Sequence, residues 1–157
     1  MRITTWAEYG LLCSLRLART HGNGPMTGRE IASMERLPAD YVEQILLRLR
    51  RAGIISSVRG AHGGYVLARD PETISVRDVV AASEHTTFDL HCLTHPLDGE
   101  RCGDSSSCSI RPVWMMLQQK IDEVLESVNL FDLLSEEPVV RERIGLSERN
   151  GLTVLQA

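Results

Sequence analysis

The sequence predicts a mainly α-helical fold with one small β-hairpin. Apolar residues recur every three or four positions in several segments, which is the spacing of helices with one buried face. Between two of these segments, short runs of β-forming residues flank the glycine-rich stretch 59–64, as expected for a hairpin. Hydrophobic residues make up 43% of the 157 positions, which is enough to form a buried core.

The first predicted helix spans about residues 4–20, and the glycine-rich stretch 21–25 ends it. Four of its residues recur at the spacing of one buried face: Trp6, Gly10, Cys13 and Leu17. Because free cysteine is often buried as a small hydrophobic residue, Cys13 is interpreted as part of the core.

A second, shorter helix is predicted to begin after Thr27. Glu30 follows three residues later, which is the capping-box pattern of a helix N-terminus. The predicted core residues of this helix are Ile31, Ala32 and Met34.

A third helix is predicted to begin near Pro38 and to end at Gly53, because proline favours the first turn of a helix and glycine the position after the last. Its apolar stripe consists of Tyr41, Val42, Ile45, Leu46 and Leu49. The hairpin follows, with strands predicted at 54–58 and 65–68. Three helices and a hairpin in this order predict a winged helix-turn-helix, which with a short helix at 75–82 is assigned to residues 1–83.

Three further regions follow this domain. Residues 84–109 are predicted to form a loop that contains three cysteines. The loop is longer than an ordinary connection between two elements of a compact domain, which indicates a functional role. Residues 110–134 are predicted to form one long dimerisation helix, and 135–157 a polar tail in which little order is expected. The residues predicted to form the helix-pairing seam step by four and three: Leu117, Ile121, Val124, Val128 and Phe131.

The charge is divided unevenly along the chain. Residues 1–70 carry a net charge of +4 and residues 71–157 a net charge of −8, giving −4 for the whole sequence. Sixteen of the seventeen basic residues are arginine, the side chain suited to bidentate contacts with phosphate and guanine. A DNA-binding surface is therefore predicted in the N-terminal half.

Several classes of function are not supported by the sequence. No apolar run approaches the roughly 20 residues that cross a bilayer, and the N-terminus lacks a secretory pattern, so a cytosolic protein without a membrane partner is expected. There is no nucleophile motif, phosphate-binding loop or paired acid and base, so an enzyme is not expected.

The DNA contacts are predicted from the way this fold docks. The second helix of the helix-turn-helix enters the major groove with its N-terminal residues, and an arginine at the wing tip can enter the minor groove. Asp40 and Glu43 have an alternative interpretation, as first-turn acids that complement the helix dipole. The candidate contacts are Thr4, Thr27, Pro38, Ala39, Asp40, Glu43, Gln44, Arg48, Arg59 and Gly60.

Three cysteines, Cys92, Cys102 and Cys108, lie in the predicted loop with gaps of nine and five residues. Thiolates bind zinc, copper(I) or iron–sulfur clusters, and the absence of a C-x-x-C pair gives a standard zinc ribbon little support. A fourth ligand could come from His91, His95, a carboxylate or a second subunit. The alternatives are a metal-free redox switch in which Cys102 and Cys108 form a disulfide, and a regulator stabilised by zinc.

Five segments of the chain carry motifs of a known family: 1–5, 41–46, 49–53, Arg59-Gly60 and 63–69. These motifs resemble those of the iron–sulfur transcription regulators of the Rrf2 family (IscR, NsrR and RirA types). The resemblance covers about residues 1–134, and the wing is its most specific part. It implies a homodimer that binds palindromic half-sites in double-stranded DNA, with a 4Fe-4S or 2Fe-2S cluster that senses nitric oxide, redox state or iron status.

The resemblance also implies the cluster ligands. Cys92, Cys102 and Cys108 match the three ligand cysteines, although the nine-residue gap exceeds the five typical of the IscR and NsrR types. IscR-type members use a histidine three residues after the third cysteine, where this chain has Arg111. NsrR-type members use a carboxylate near the start of the first helix of the partner subunit, a position that Glu8 occupies; the alternative for Glu8 is an ordinary solvated acid.

Overall fold

A computed structural model describes residues 3–84 and 108–146 of the chain. Within these ranges, six α-helices and an antiparallel hairpin confirm the mainly helical fold class. The helices are α1 Thr5–Arg19, α2 Gly28–Glu35, α3 Ala39–Arg51, α4 Val76–Ser83, α5 Arg111–Glu126 and α6 Glu137–Arg143. The strands are β1 Ile55–Val58 and β2 Gly64–Leu67, and short 3₁₀ helices span Pro71–Thr73 and Asp132–Leu134.

Capping boxes start two of the helices. The Thr27 side chain accepts a hydrogen bond from the Glu30 amide (3.2 Å), and the Glu30 carboxylate accepts one from the Thr27 amide (2.7 Å). Ser75 and Asp78 make the same reciprocal pair at the start of α4. Since each box satisfies backbone donors that the helix leaves without partners, it fixes where the helix begins. Both N-termini were predicted from sequence, and the capping geometry confirms them.

Backbone hydrogen bonds join the hairpin to Met26, two residues before the start of α2. Its register places Ile55 opposite Leu67, and Met26 then extends it by exchanging two backbone hydrogen bonds with Tyr65 (3.0 and 2.7 Å). A methyl group on Gly64 would overlap the Met26 backbone, so this close approach requires glycine. The wing is therefore held at a fixed position relative to the helix-turn-helix.

The main core lies where α1, α3 and the hairpin meet. Cys13 is fully buried, as predicted, and burial together with the nearby Glu35 raises the pKa of its thiol to about 12. Met34, predicted to face the core, is instead 58% exposed. The reason is that Glu35, its neighbour in the last turn of α2, faces α1 and pairs with Arg16 (2.5 Å). The fully buried residues of the cluster include Cys13, Ile31, Val42, Ile45, Leu46, Leu49, Ile74, Val79 and Leu130.

The predicted dimerisation helix is shorter than expected. Helix α5 ends at Glu126, so the prediction that it continues to Leu134 is wrong. Val128 is buried in the chain's own core against α1 and α4, and Phe131 lies beyond the helix with 50% of its surface exposed. Burial of Val128 and Leu130 in the first domain outweighs continued helix hydrogen bonding. Backbone bonds from Val76 to Val128 (2.8 Å) and from Leu130 to Ile74 (2.9 Å) hold this extended segment in place.

The segment after residue 135 is partly ordered. Helix α6 occupies 137–143, and Arg143 pairs with the buried carboxylate of Asp132 at 2.8 Å. The expectation of little order is therefore wrong for this stretch, while 147–157 lie outside the described residues. Among the helices of the described ranges, none is long and apolar enough to cross a membrane.

Candidate nucleic-acid interface

Helix α3 presents two distinct faces. Val42, Ile45 and Leu46 point into the core, together with Leu49. The predicted base-reading residues at the start of the helix are all exposed: Pro38, Ala39, Asp40, Glu43 and Gln44. The inward stripe thus anchors the helix while its first two turns remain available to the major groove.

Two of the predicted DNA contacts also have structural roles. A methyl group on Gly28 would overlap the Glu43 carboxylate, so Glu43 lies against the first turn of α2. An acid there complements the positive end of the α2 dipole. The Thr27 hydroxyl is likewise engaged, in the capping box with Glu30. Glu43 therefore helps fix the angle between the two helices of the motif, and Thr27 fixes where α2 begins.

Arg48 does not extend into solvent as a phosphate contact would. Its Nη1 donates to the Ser83 carbonyl at the end of α4 (2.6 Å), and its guanidinium carbon lies 4.0 Å from the centre of the Trp6 ring. In this structure the side chain therefore joins α3 to α1 and α4, a role that was not predicted from the sequence, while its phosphate contact stays a prediction. The Trp6 ring in turn packs on Tyr41, 5.2 Å away, which explains why Tyr41 leaves the predicted core stripe and is 44% exposed.

Replacing Arg48 by alanine is expected to lower the free energy of unfolding by about 1–3 kcal/mol. The variant loses a hydrogen bond worth about 0.5–1.5 kcal/mol and a cation–π contact worth about 0.5–1.5 kcal/mol at a partly exposed site. Arg50, which is exposed on the same helix, provides the matched control, and its alanine variant should change stability by less than about 0.5 kcal/mol. Equal urea midpoints for the two variants would contradict the assignment.

The wing displays Arg59 at its tip. Gly60 adopts a φ of +125°, a backbone conformation that favours glycine, and the Gly63 amide closes the turn on the Gly60 carbonyl (3.0 Å). A methyl group on Gly63 would overlap the Val58 carbonyl. The glycines thus make a tight turn from which the exposed arginine projects.

The start of α1 lies beside the end of α4, where the cysteine loop begins. The Thr4 hydroxyl donates to the Glu84 carboxylate, and a methyl group on Gly10 would overlap the Ser83 side chain. Thr4, predicted to touch DNA, is therefore engaged with the first residue of the loop. Glu8 lies one turn after Thr4 and is exposed. Glu8, the predicted cluster carboxylate, therefore lies in the helix turn that follows the contact between Thr4 and Glu84.

Of the three loop cysteines, Cys108 lies within the described residues. It is half-buried and precedes the first residue of α5 by three positions. Cys92, Cys102 and the alternative ligands His91 and His95 fall outside the described residues.

Helix α5 buries none of its own residues within the described chain. Of the predicted seam, Leu117 and Val124 are 42% and 59% exposed. The sequence prediction missed Trp114, which continues the four-and-three spacing back from Leu117 and is 43% exposed. Ion pairs from Arg77 to Asp122 (3.1 Å) and Glu126 (3.2 Å) hold the opposite side of α5 against α4.

Comparisons with known proteins identify this architecture. The Rrf2 family, described as iron-dependent transcriptional regulators, matches residues 3–136. The transcriptional regulator CymR of Bacillus subtilis is 34% identical over 86% of this chain and 91% of its own length. The regulator IscR of Sodalis glossinidius is 31% identical over 89% of this chain and 82% of its own.

Solved structures agree with these relatives. The structure of T. potens IscR superposes with a TM-score of 0.67 at 34% identity, covering 85% of this chain and 86% of that one. The structure of CymR, the global cysteine regulator of B. subtilis, gives the same TM-score at 31% identity, covering 87% of this chain and 99% of that one. The relatives are transcription regulators and not enzymes. The chain accordingly belongs to the Rrf2 family and is a DNA-binding transcription regulator.

Proposed function

We propose that this regulator is a homodimer whose affinity for its operator is set by an iron–sulfur cluster. The cluster ligands would be Cys92, Cys102 and Cys108, with Glu8 supplied by the second copy. The signal would be nitric oxide, redox state or iron status, since each of these alters an iron–sulfur cluster. The family's description as iron-dependent supports this choice.

The observation that carries the proposal is the position of Cys108 before the first turn of α5. Cys108 is half-buried and lies three residues before Arg111, the first residue of α5, so its thiol is next to the proposed dimerisation helix. Thiolates are the ligands that iron–sulfur clusters prefer. Cys13 is unsuitable because burial keeps its thiol protonated, with a pKa of about 12. The donor set that remains, three thiolates and one carboxylate, fits a cluster with one exchangeable ligand.

The location of Glu8 supports its role as that ligand. It is exposed on the first turn of α1, and Thr4, the N-cap residue of that helix, binds Glu84 at the start of the cysteine loop. A carboxylate contributed by the second copy would tie the DNA-reading domain of one subunit to the loop of the other. Changes at the cluster would then alter the relative placement of the two reading domains.

The exposed apolar face of α5 supports dimerisation. A second copy of the helix would cover its seam residues, here revised to Trp114, Leu117, Ile121 and Val124. Two reading helices and two wings would then face a palindromic operator. The exposed residues available for DNA in this arrangement are Pro38, Ala39, Asp40, Glu43, Gln44, Arg59 and Gly60.

Anaerobic purification tests the cluster directly. The protein is expected to be coloured and to contain iron and acid-labile sulfide, and Cys108→Ser should lose both. Cys13→Ser is the matched control and should retain them, since this thiol is fully buried in the core of the first domain. Loaded and cluster-free forms are expected to differ in operator affinity when measured side by side at one salt concentration.

Other outcomes would favour the alternatives. If the purified protein contains zinc and no iron, and Cys108→Ser loses that zinc, the metal would have a structural role. A metal-free protein with a Cys102–Cys108 disulfide on mass spectrometry would indicate a thiol switch. A colourless protein that takes up no iron on reconstitution would exclude the cluster. Glu8→Ala with an unchanged spectrum and unchanged cluster stability would remove the carboxylate ligand from the proposal.

A further inference from the structure

We propose that Asp40 and Gln44 are the base-reading pair of this regulator, and that Asp40 selects a cytosine in each half-site of the operator. This inference rests on the proposed docking of α3 in the major groove and adds to it the identity of the bases that are read. It assigns the selection of cytosine to Asp40 and not to Glu43, the other acidic residue among the candidate contacts on α3.

Helix register places these two side chains outermost on α3. At about 100° per residue, Asp40 and Gln44 lie almost opposite the buried stripe of Val42, Ile45 and Leu46. Glu43 lies on the flank that faces α2, where its carboxylate packs against Gly28. Asp40 and Gln44 are exposed, and neither makes a side-chain hydrogen bond or ion pair in the part of the chain that the structure describes.

The charge of Asp40 determines which base it can accept. A carboxylate brought into the major groove loses water and approaches two phosphate backbones, so it must receive a hydrogen bond in exchange. Cytosine N4 offers a donor at the groove edge with no acceptor beside it on the same base, whereas adenine places the acceptor N7 beside its N6 donor, where it repels a carboxylate. Guanine presents only the acceptors N7 and O6, and thymine presents O4 and a methyl group. An aspartate therefore favours cytosine and disfavours guanine and thymine at its position.

The spacing between Asp40 and Gln44 allows α3 to contact a second base pair. Gln44 lies one turn further along α3, about 6 Å along the helix axis, which corresponds to one or two base-pair steps. Its amide can bind adenine through N6 and N7. Arg51, exposed further along the same outward face, would contact phosphate and carry no base information. The expected half-site thus contains a cytosine and, one or two steps away, an adenine.

Selection from a randomised DNA duplex library tests this pair. Wild-type protein, Asp40→Ala, Asp40→Asn and Arg51→Ala would each be used for selection and sequencing. The wild type should enrich cytosine at one position of each half-site, and Asp40→Ala should lose that preference at that position alone. Asp40→Asn should change the preference there to adenine, because asparagine binds adenine in the same way as glutamine. Arg51→Ala should weaken binding to all sequences and leave the base preferences unchanged.

Affinity measurements give the size of the effect. Substituting the selected cytosine should weaken wild-type binding about ten-fold or more, and Asp40→Ala should remove that penalty. Unchanged base preferences in Asp40→Ala would overturn the proposal, as would a change only in thermal stability, which is the expectation for a helix-dipole role. If the wild type enriched no sequence at all, the proposed docking of α3 would fail together with it.

Discussion

Replacing Arg59 by alanine is expected to weaken operator binding by ten-fold to a hundred-fold at about 0.1 M salt. The exposed arginine projects from a wing that Met26 fastens to the helix-turn-helix, so little conformational freedom is lost when it enters a narrow minor groove. The groove's negative potential then acts on a charge that is already positioned. The loss corresponds to about 1.4–2.8 kcal/mol of binding free energy for the whole complex.

The salt dependence separates a DNA contact from a general effect of charge. The slope of log affinity against log salt should become shallower by about one unit for each phosphate neutralisation that is lost. Arg141→Ala removes the same charge from α6, where the side chain pairs with Glu137, and should leave both affinity and slope nearly unchanged. An unchanged slope in Arg59→Ala would show that the wing does not reach the DNA backbone or groove.

The parts of the fold that could be predicted depend on local signals. The capping boxes at Thr27 and Ser75 require only that a hydroxyl and an acid lie three residues apart. The hairpin depends on glycines within the turn itself, including Gly60 with its positive φ. In these cases the chemistry that decides the structure lies within four or five positions, so it is visible in the sequence.

The features that could not be predicted involve partners far apart in the chain. Arg48 binds a carbonyl 35 positions away, and no pattern near Arg48 distinguishes that role from a phosphate contact. The packing of Glu43 on Gly28 similarly depends on the angle between α2 and α3. For the candidate cluster site, resemblance supplied the ligand set, and the structure adds the half-buried position of Cys108 three residues before α5 and the contact between Thr4 and Glu84.

The end of α5 illustrates how a correct pattern can be extended too far. Steps of four and three continue from Leu117 through Val124 to Val128, so the sequence alone gives no reason to stop the seam. The chain leaves the helix because Val128 and Leu130 gain more by burial in the first domain than as part of an exposed helix. Reciprocal hydrogen bonds between Asn129 and Asp132 (3.1 and 2.9 Å) fix the turn that follows.

Val128→Asp and Val124→Asp are expected to have different effects, although the two residues lie four positions apart. Val128 is 8% exposed, in a cluster with Ala7, Val76 and Val80, so an aspartate there places an unpaired carboxylate in the core. The free energy of unfolding should fall by about 3–5 kcal/mol at every protein concentration, which for many domains of this size abolishes the folded state. Val124 is 59% exposed on α5, so the same substitution should leave each subunit folded and weaken only its pairing with a second copy.

Circular dichroism and analytical ultracentrifugation distinguish these two outcomes. Val128→Asp should lose helical signal or melt at a much lower temperature across a hundred-fold range of concentration. Val124→Asp should keep its helical signal while its sedimentation shifts from dimer to monomer. A folded, monomeric Val128→Asp would place that residue in the pairing seam after all, and would mean that the seam runs past the end of α5. Because both substitutions introduce the same charge, any difference between them must come from what surrounds each valine.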